Sequence, residues 1–258
     1  MSEDMKSIKR LASVAAKRVV EVLEEYGPNA ADIVKTGAYG LPSSRVDVEA
    51  ESAIINMVEE EDMPYNIFTE EAGFIDRNYK STIIVDPLDG SYNAEAGLPY
   101  YSVSIAVAQR GIEDVRAGIV KNVVTGDEYY AIKDGGAFKN LDKIHVDGGK
   151  NLFVIYLGNR ANPKSFEIAK KVRRVRSLGS AALEMCLVAE GIADAFIYNF
   201  KSAGVLRIVD IAAAYLIVKE AGGLVLDANG MKLLRMNIGV EDRRNVIALA
   251  KPEIMGVF

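Results

Sequence analysis

Residues 83–97 read IIVDPLDGSYNAEAG, an apolar run that drives straight into two aspartates, Asp86 and Asp89. Pro87 fixes its own φ and biases Asp86 toward an extended conformation, so the chain leaves the strand in a defined direction. Asp89 then comes round three residues later, able to face the same point. Two carboxylates this close stay ionised together only if a cation sits between them; otherwise one takes up a proton. Oxygen ligands of this kind suit Mg²⁺ or Mn²⁺. Gly90 and Ser91 open a turn whose free N–H groups attract phosphate oxygens. Taken alone, D-P-x-D-G is also ordinary turn chemistry, since Asp, Pro and Gly all favour turns. Two further stretches point beyond that. Glu70 and Glu71 end NIFTEE (66–71), and Asp210 closes VLRIVD at the start of a helical pattern, where a lone aspartate reads as an N-cap. Three separate strand ends carrying acids are expected to converge.

The rest of the composition narrows the chemistry. The chain has 258 residues, half of them hydrophobic, with 31 Lys+Arg against 36 Asp+Glu. That suffices for a large core and leaves no basic footprint for nucleic acid. One cysteine, Cys186, and one histidine, His145, rule out a Cys/His zinc cluster. No G-x-S-x-G accompanies His145, which reads as an edge-strand residue, and Cys186 falls in an apolar helical stretch and reads as core. A single cysteine suits a reducing compartment, so a cytoplasmic protein is expected. No apolar run approaches 18 residues and no signal-peptide core is visible, so no membrane association is expected.

Along the chain, residues 3–26 place apolar side chains at helical spacing and end at Gly27-Pro28. KTGAYGLPSSR (35–45) reads as a mobile loop, and a second helix is expected over 46–60. Strands are expected at 66–71, 81–86 and 101–111, the last half-buried by its alternation, followed by a hairpin about Thr125-Gly126-Asp127. NLFVIYLG, RRVRS, ADAFIYN, GVLRIVD, LVLDANG and NVIALA read as strands, with helices at SFEIAKKV, SAALEMCLVAEG and DIAAAYLIVKEAGG. The first part therefore reads as a helix pair on an antiparallel sheet (1–147), the second as alternating α/β (148–258).

VDPLDGSYNAEAGLPYYSVSIA, FTEEAG, VRSLGSAALEMCLVAEGIADAF and LRIVDIAAAYLIVKEAGG, in that order over nearly the whole chain, resemble the motifs of the inositol monophosphatase and fructose-1,6-bisphosphatase superfamily. GLPSSRVDVEAE and the compact length are most similar to its archaeal-type enzymes, which act on both inositol phosphates and fructose 1,6-bisphosphate. The resemblance implies a layered αβαβα sandwich of α+β class and a Mg²⁺-dependent phosphomonoesterase, with Mn²⁺ an alternative, two or three ions, and a homodimer. Glu70, Asp86 and the Leu88 carbonyl would hold a first ion. Asp86, Asp89 and Asp210 would hold a second, and Asp47 with Glu70 a weaker third. Glu70 and the Ser91 hydroxyl would orient the attacking water. The Gly90 and Ser91 amides, beside Asp89, would hold the phosphate, and Gly179, Ser180 and Ala181 would line the sugar or inositol side. The chemistry implied is in-line displacement between ions roughly 3.5–4 Å apart, with no histidine base.

Arg176 closes KKVRRVR three residues before Gly179, and Lys201 and Arg207 precede Asp210. All three are candidate cations for a distal phosphate, against the plainer reading of a basic edge strand that blunts pairing. The chain also departs from the family pattern. Tyr39 stands where the archaeal type usually carries aspartate, Leu41-Pro42-Ser43 replaces T-P-T, Val209 replaces an aromatic, and Ala203 replaces an inositol-contacting glutamate. Strict inositol specificity is thus less expected than phosphatase activity. A 3′-phosphoadenosine 5′-phosphate phosphatase of the same superfamily and a catalytically silent metal-binding homologue are the alternatives. A haloacid dehalogenase-type enzyme would need acids two apart rather than three.

Overall fold

The computed structural model describes every residue except Met1, Leu41, Ser202, Ala203, Leu234 and Val240, so the departures at 41 and 203 lie outside the described residues. In chain order the elements are α1 (Glu3–Tyr26), β1 (Ile33–Thr36), β2 (Pro42–Ser44), α2 (Arg45–Glu60), β3 (Asn66–Thr69), β4 (Gly73–Ile75), β5 (Thr82–Asp89), α3 (Ser91–Glu95), β6 (Ser102–Ala108), β7 (Ala117–Asn122), β8 (Glu128–Ile132), β9 (Gly136–Lys139) and β10 (Asp142–Ile144). The second half adds β11 (Leu152–Ile155), α4 (Pro163–Lys171), β12 (Arg174–Arg176), α5 (Ala181–Ala189), β13 (Ala195–Tyr198), α6 (Ile208–Glu220), β14 (Leu224–Asp227) and β15 (Val246–Leu249). The change of sheet falls between β10 and β11. An eight-stranded sheet runs β10-β9-β8-β7-β6-β5-β3-β4 and a five-stranded sheet runs β12-β11-β13-β15-β14.

The layers follow from which faces are apolar. Met5, Ile8, Leu11, Ala12 and Ala15 form the buried stripe of α1 and, with Ile54 and Val58 of α2, cover one face of the first sheet through Ile67, Ile83, Ile105 and Ile119. The alternate residues Phe68, Ile84, Ala106 and Val120 face the other way, onto α5 and α6. Those two helices are buried almost all round because the second sheet closes over them with Val154, Phe196, Val246 and Ala248. Its far face, with Phe153, Ile155, Ile197 and Leu249, is covered by Ile168 of α4 and the C-terminal turn. This is the αβαβα sandwich expected. Among the described residues no helix is long and apolar enough to cross a membrane.

Three local expectations are corrected. The strand at 102–108 is not half-buried: all seven residues are buried, because helices cover both its faces. GVLRIVD is not a strand. Leu206 makes one isolated bridge to Arg244, and α6 already begins at Ile208. The stretch at 35–45 holds paired strands, β1 and β2, and is tied down by Ala38 N donating to the Glu71 carbonyl at 2.7 Å.

Candidate active site

The register of β5 explains how both aspartates reach one point. Asp86 pairs with Ser104 of β6 and Asp89 with Ser102, so three residues on β5 span two on β6. That extra residue is a bulge. It accommodates Pro87, which has no N–H to give the ladder. In a regular strand residues three apart point to opposite faces; the bulge turns Asp89 back to the side of Asp86. Ser102 and Ser104 share the inner face with Ala106, which faces α5 and α6. Parallel pairing of β3 with β5 runs through Thr69–Val85, so the next residues in register are Glu70 and Asp86. From the opposite layer, α6 contributes Asp210 in its first turn.

Glu70, Asp86 and Asp210 each offer one carboxylate oxygen within 4.8 Å of the others, the metal-competent acid cluster among the described residues. Burial, with the charges of Asp89, Glu70 and Asp210 added, raises the Asp86 carboxyl well above its usual range. Burial also pushes Glu70 up to about 7, against the pull of Arg207. Arg207 is the internal counter-ion. Its guanidinium meets Glu70 Oε1 at 2.7 Å and Asp210 Oδ1 at 3.0 Å, and its backbone N–H donates to Asp210 Oδ2 at 2.6 Å. Burial works against its cation, but the Asp210 and Glu70 charges outweigh that and raise its pKa.

Asp89 lies beside this cluster but is turned to the start of α5. It accepts from the Ser180 hydroxyl, from Ala181 N at 3.1 Å and from Ala182 N at 2.9 Å. Burial pushes it up to about 6 despite those donors. One carboxylate thus joins the expected metal side to the expected substrate side, Ser180 and Ala181. Gly179 is fixed there by donating to Glu184 Oε1 at 3.1 Å. Gly90 has φ 93°, and a Cβ there would stand 3.2 Å from the Gly179 and Tyr100 carbonyl oxygens, so the turn after Asp89 requires glycine.

Ser91 and Asp47 form a separate pair. The Ser91 hydroxyl donates to Asp47 Oδ1 at 2.9 Å and lies 2.8 Å from the Leu88 carbonyl. The Asp47 carboxyl is raised by burial although Ser44 and Ser91 donate to it. Leu88 N in turn donates to Asp86 Oδ1 at 3.1 Å. Of the three candidate cations, only Arg207 is drawn into the acids. Arg176 is exposed on edge strand β12 and donates to the Val175 carbonyl, and Lys201 is exposed with Nζ 3.3 Å from the Asn159 carbonyl. Cys186 is fully buried in α5. Sequence reasoning missed Glu184 and Asn93. The Asn93 amide bridges the Tyr100 and Leu178 carbonyls, both at 2.7 Å, and its only sequence signal is its place in the quoted motif.

The raised carboxyls have a signed consequence. Glu70 near 7 and Asp89 near 6 lie above their unfolded values of 4.5 and 3.8. Between about pH 4 and 7 the metal-free folded state therefore holds protons that the unfolded chain has lost, and these groups stabilise it less as pH rises. A divalent cation competes with those protons. The rise in Tm produced by Mg²⁺ should accordingly be larger at about pH 7.5 than at about pH 5.5. Thermal melts at the two pH values check this, and an increment independent of pH would count against the cluster as the cation site.

Comparison with known proteins places these residues in context. A model of the inositol monophosphatase family matches residues 4–251. The fructose-1,6-bisphosphatase/inositol-1-monophosphatase of Methanothermobacter thermautotrophicus is 37% identical over 242 residues, spanning 88% of this chain and 85% of that protein. The bifunctional NADP phosphatase/NAD kinase of Methanococcus maripaludis is 36% identical over 256 residues, 88% of this chain but 44% of that longer protein. Among solved structures, an inositol monophosphatase–fructose 1,6-bisphosphatase superposes with TM-score 0.84 at 30% identity, covering 100% of this chain and 98% of that one.

Proposed function

The chain belongs to the inositol monophosphatase family and is a phosphomonoesterase; from that premise we propose that it depends on a divalent cation and hydrolyses inositol 1-phosphate and fructose 1,6-bisphosphate. The observation that carries this is the convergence of Glu70, Asp86 and Asp210 from three separate elements. An all-oxygen donor set with too little positive charge to balance it fits Mg²⁺ or Mn²⁺. Glu70, Asp86, Asp210 and the Leu88 carbonyl would hold the ions, with Asp89 at the edge of the set and Asp47 at a weaker position. Bound there, such ions supply Lewis-acid polarisation of the phosphoryl oxygens and an activated water. The chain's own residues do the rest. Gly90 and Ser91 offer amides to the phosphate, the Asp47–Ser91 pair keeps a proton acceptor beside them, and Asp89 fixes the start of α5 against which the alcohol portion lies.

Arg207 has a double part in this reading. It balances Glu70 and Asp210 when no cation is bound and leaves the phosphate a positive neighbour when one is. NADP is a second substrate reading, favoured by the identity to relatives named bifunctional NADP phosphatase/NAD kinase. Phosphate release from inositol 1-phosphate and fructose 1,6-bisphosphate, with and without Mg²⁺, tests the proposal. Release from both that vanishes on chelation is the expected result; no release from either by protein carrying metal would overturn it.

A further inference from the structure

Beside the carboxylate cluster lies a cavity of about 400 Å³ that hydrolysis of a sugar or inositol phosphate does not use. Tyr39, Phe68, Phe74 and Ile238 line it, with Glu241 and Asp242 at its acidic end. Phe68 and Phe74 are register partners across β3 and β4, so both rings stand on the same face of the sheet. Phe68 is 1% exposed and forms the floor, whereas Phe74 is 51% exposed and Tyr39 37%. A single exposed Phe is ordinary. Two half-open aromatic side chains turned into one concavity form a recognition surface for a flat apolar group. Asp242 is held by Arg244 at 2.7 Å. Glu241 is exposed, an acceptor at the rim for an amino group.

The position of the cavity sets what fits. Glu70 lies two residues beyond Phe68 along the same strand direction and face, about 6.6 Å on. That is roughly the reach of one ribose between a base and its phosphate. Tyr39 lies over Gly73, where a Cβ would come within 2.8 Å of the phenol oxygen. The Arg207 charge acts on that phenol, lowering a pKa that burial raises. The cavity wall and the acid cluster therefore share Arg207 as a neighbour. We propose that this slot takes the adenine ring of a nucleotide whose ribose phosphate reaches the Glu70–Asp86–Asp210 cluster, with the ring stacked on Phe74 and Tyr39 and its amino group donating to Glu241. This rests on the phosphomonoesterase reading and deepens it, because inositol and sugar phosphates carry no ring for the slot.

Two measurements separate the slot from the chemistry. NAD lacks the ribose phosphate to be released, so calorimetric titration with NAD in the presence of Mg²⁺ reads the slot without turnover. Phe74→Ala should weaken NAD about tenfold, the order expected for losing one stacking partner; equal affinity for both proteins, or no NAD binding by the wild type, overturns the proposal. The second measurement compares kcat/KM for NADP and for 3′-phosphoadenosine 5′-phosphate, each as a ratio to that for inositol 1-phosphate. Phe74→Ala should lower the ratio about tenfold for whichever nucleotide the enzyme accepts, which also tells a 2′-phosphate from a 3′-phosphate. A wild type that hydrolyses inositol 1-phosphate and neither nucleotide overturns the slot and leaves the phosphatase reading standing. Phe74-dependent NAD binding with no phosphate release from any of the three supports the slot and sinks the phosphatase reading. Tyr39→Ala, in the opposite wall, should reproduce the Phe74→Ala pattern.

Discussion

Asp86→Asn should abolish phosphate release while making the metal-free protein more stable. The side chain is 4% exposed and stands among Glu70, Asp89 and Asp210, whose charges add to burial in disfavouring its ionised form. Without a cation, each ionised acid added here opposes folding. Asn keeps the shape and keeps an oxygen to accept from Leu88 N, the one hydrogen bond the Asp86 carboxylate makes at 3.1 Å, but it removes a charge. Turnover should fall by at least about 10²–10³, the scale for losing one preorganised electrostatic contact in a buried site. The melting temperature of the metal-free variant should rise by a few degrees, and the further rise that Mg²⁺ gives the wild type should be lost. Activity and stability then move in opposite directions, as expected where a site is built at the expense of the fold. Thermal melts with and without Mg²⁺, beside initial rates, check all three. A variant that is both inactive and less stable would show Asp86 to be a structural acid rather than part of a cation site.

How much of this was legible depends on how local each feature is. The long amphipathic stripe of α1 was readable to the residue because 24 residues of one period leave no rival pattern. The quoted motif gave Asp86 and Asp89 and their shared direction, and the β-bulge supplies the reason. Asp210 was found but misplaced. GVLRIV is a short apolar run, and α6 is buried on every side between two sheets, so no polar face marks it as helical and periodicity cannot separate it from a buried strand. In α6 Asp210 is the third residue, and it accepts from Arg207 N rather than closing a strand. Arg207 was read as a substrate cation because sequence shows charge and not which carboxylates the fold brings to it. The hold of Asp89 on Ser180, Ala181 and Ala182, some 90 positions away, is tertiary and has no local signature. The slot at Tyr39 and Phe74 was invisible for the same reason, although Tyr39 stood out as a departure from the family pattern.

The placing of Asp210 depends on a contact far from any acid. Gly118 of β7 lies against α6. A Cβ there would stand 2.8 Å from Ala213 Cα, 3.1 Å from Ala213 O and 3.3 Å from Ala213 Cβ. Two of those three atoms are helix backbone, so no side-chain rotation relieves the clash. Gly118→Ala must push α6 away from the first sheet by several tenths of an ångström, and overpacking of this kind costs about 1–3 kcal/mol. Ala213 follows Asp210 by three residues and shares its face of the helix, so the displacement is carried to the carboxylate. Its partners Glu70 and Asp86 stay on the sheet. A shift approaching 1 Å at a reacting centre lowers rates by about 10². Gly118→Ala is therefore expected to melt lower than wild type and to lose about 10²-fold in kcat, although no atom of residue 118 enters the site. Ala213→Gly in the same chain removes only the most distant of the three contacts, so the double variant should remain impaired. Full recovery of both rate and melting temperature in that double variant would show that the methyl of Ala213, and not the helix backbone, sets how closely α6 approaches the sheet.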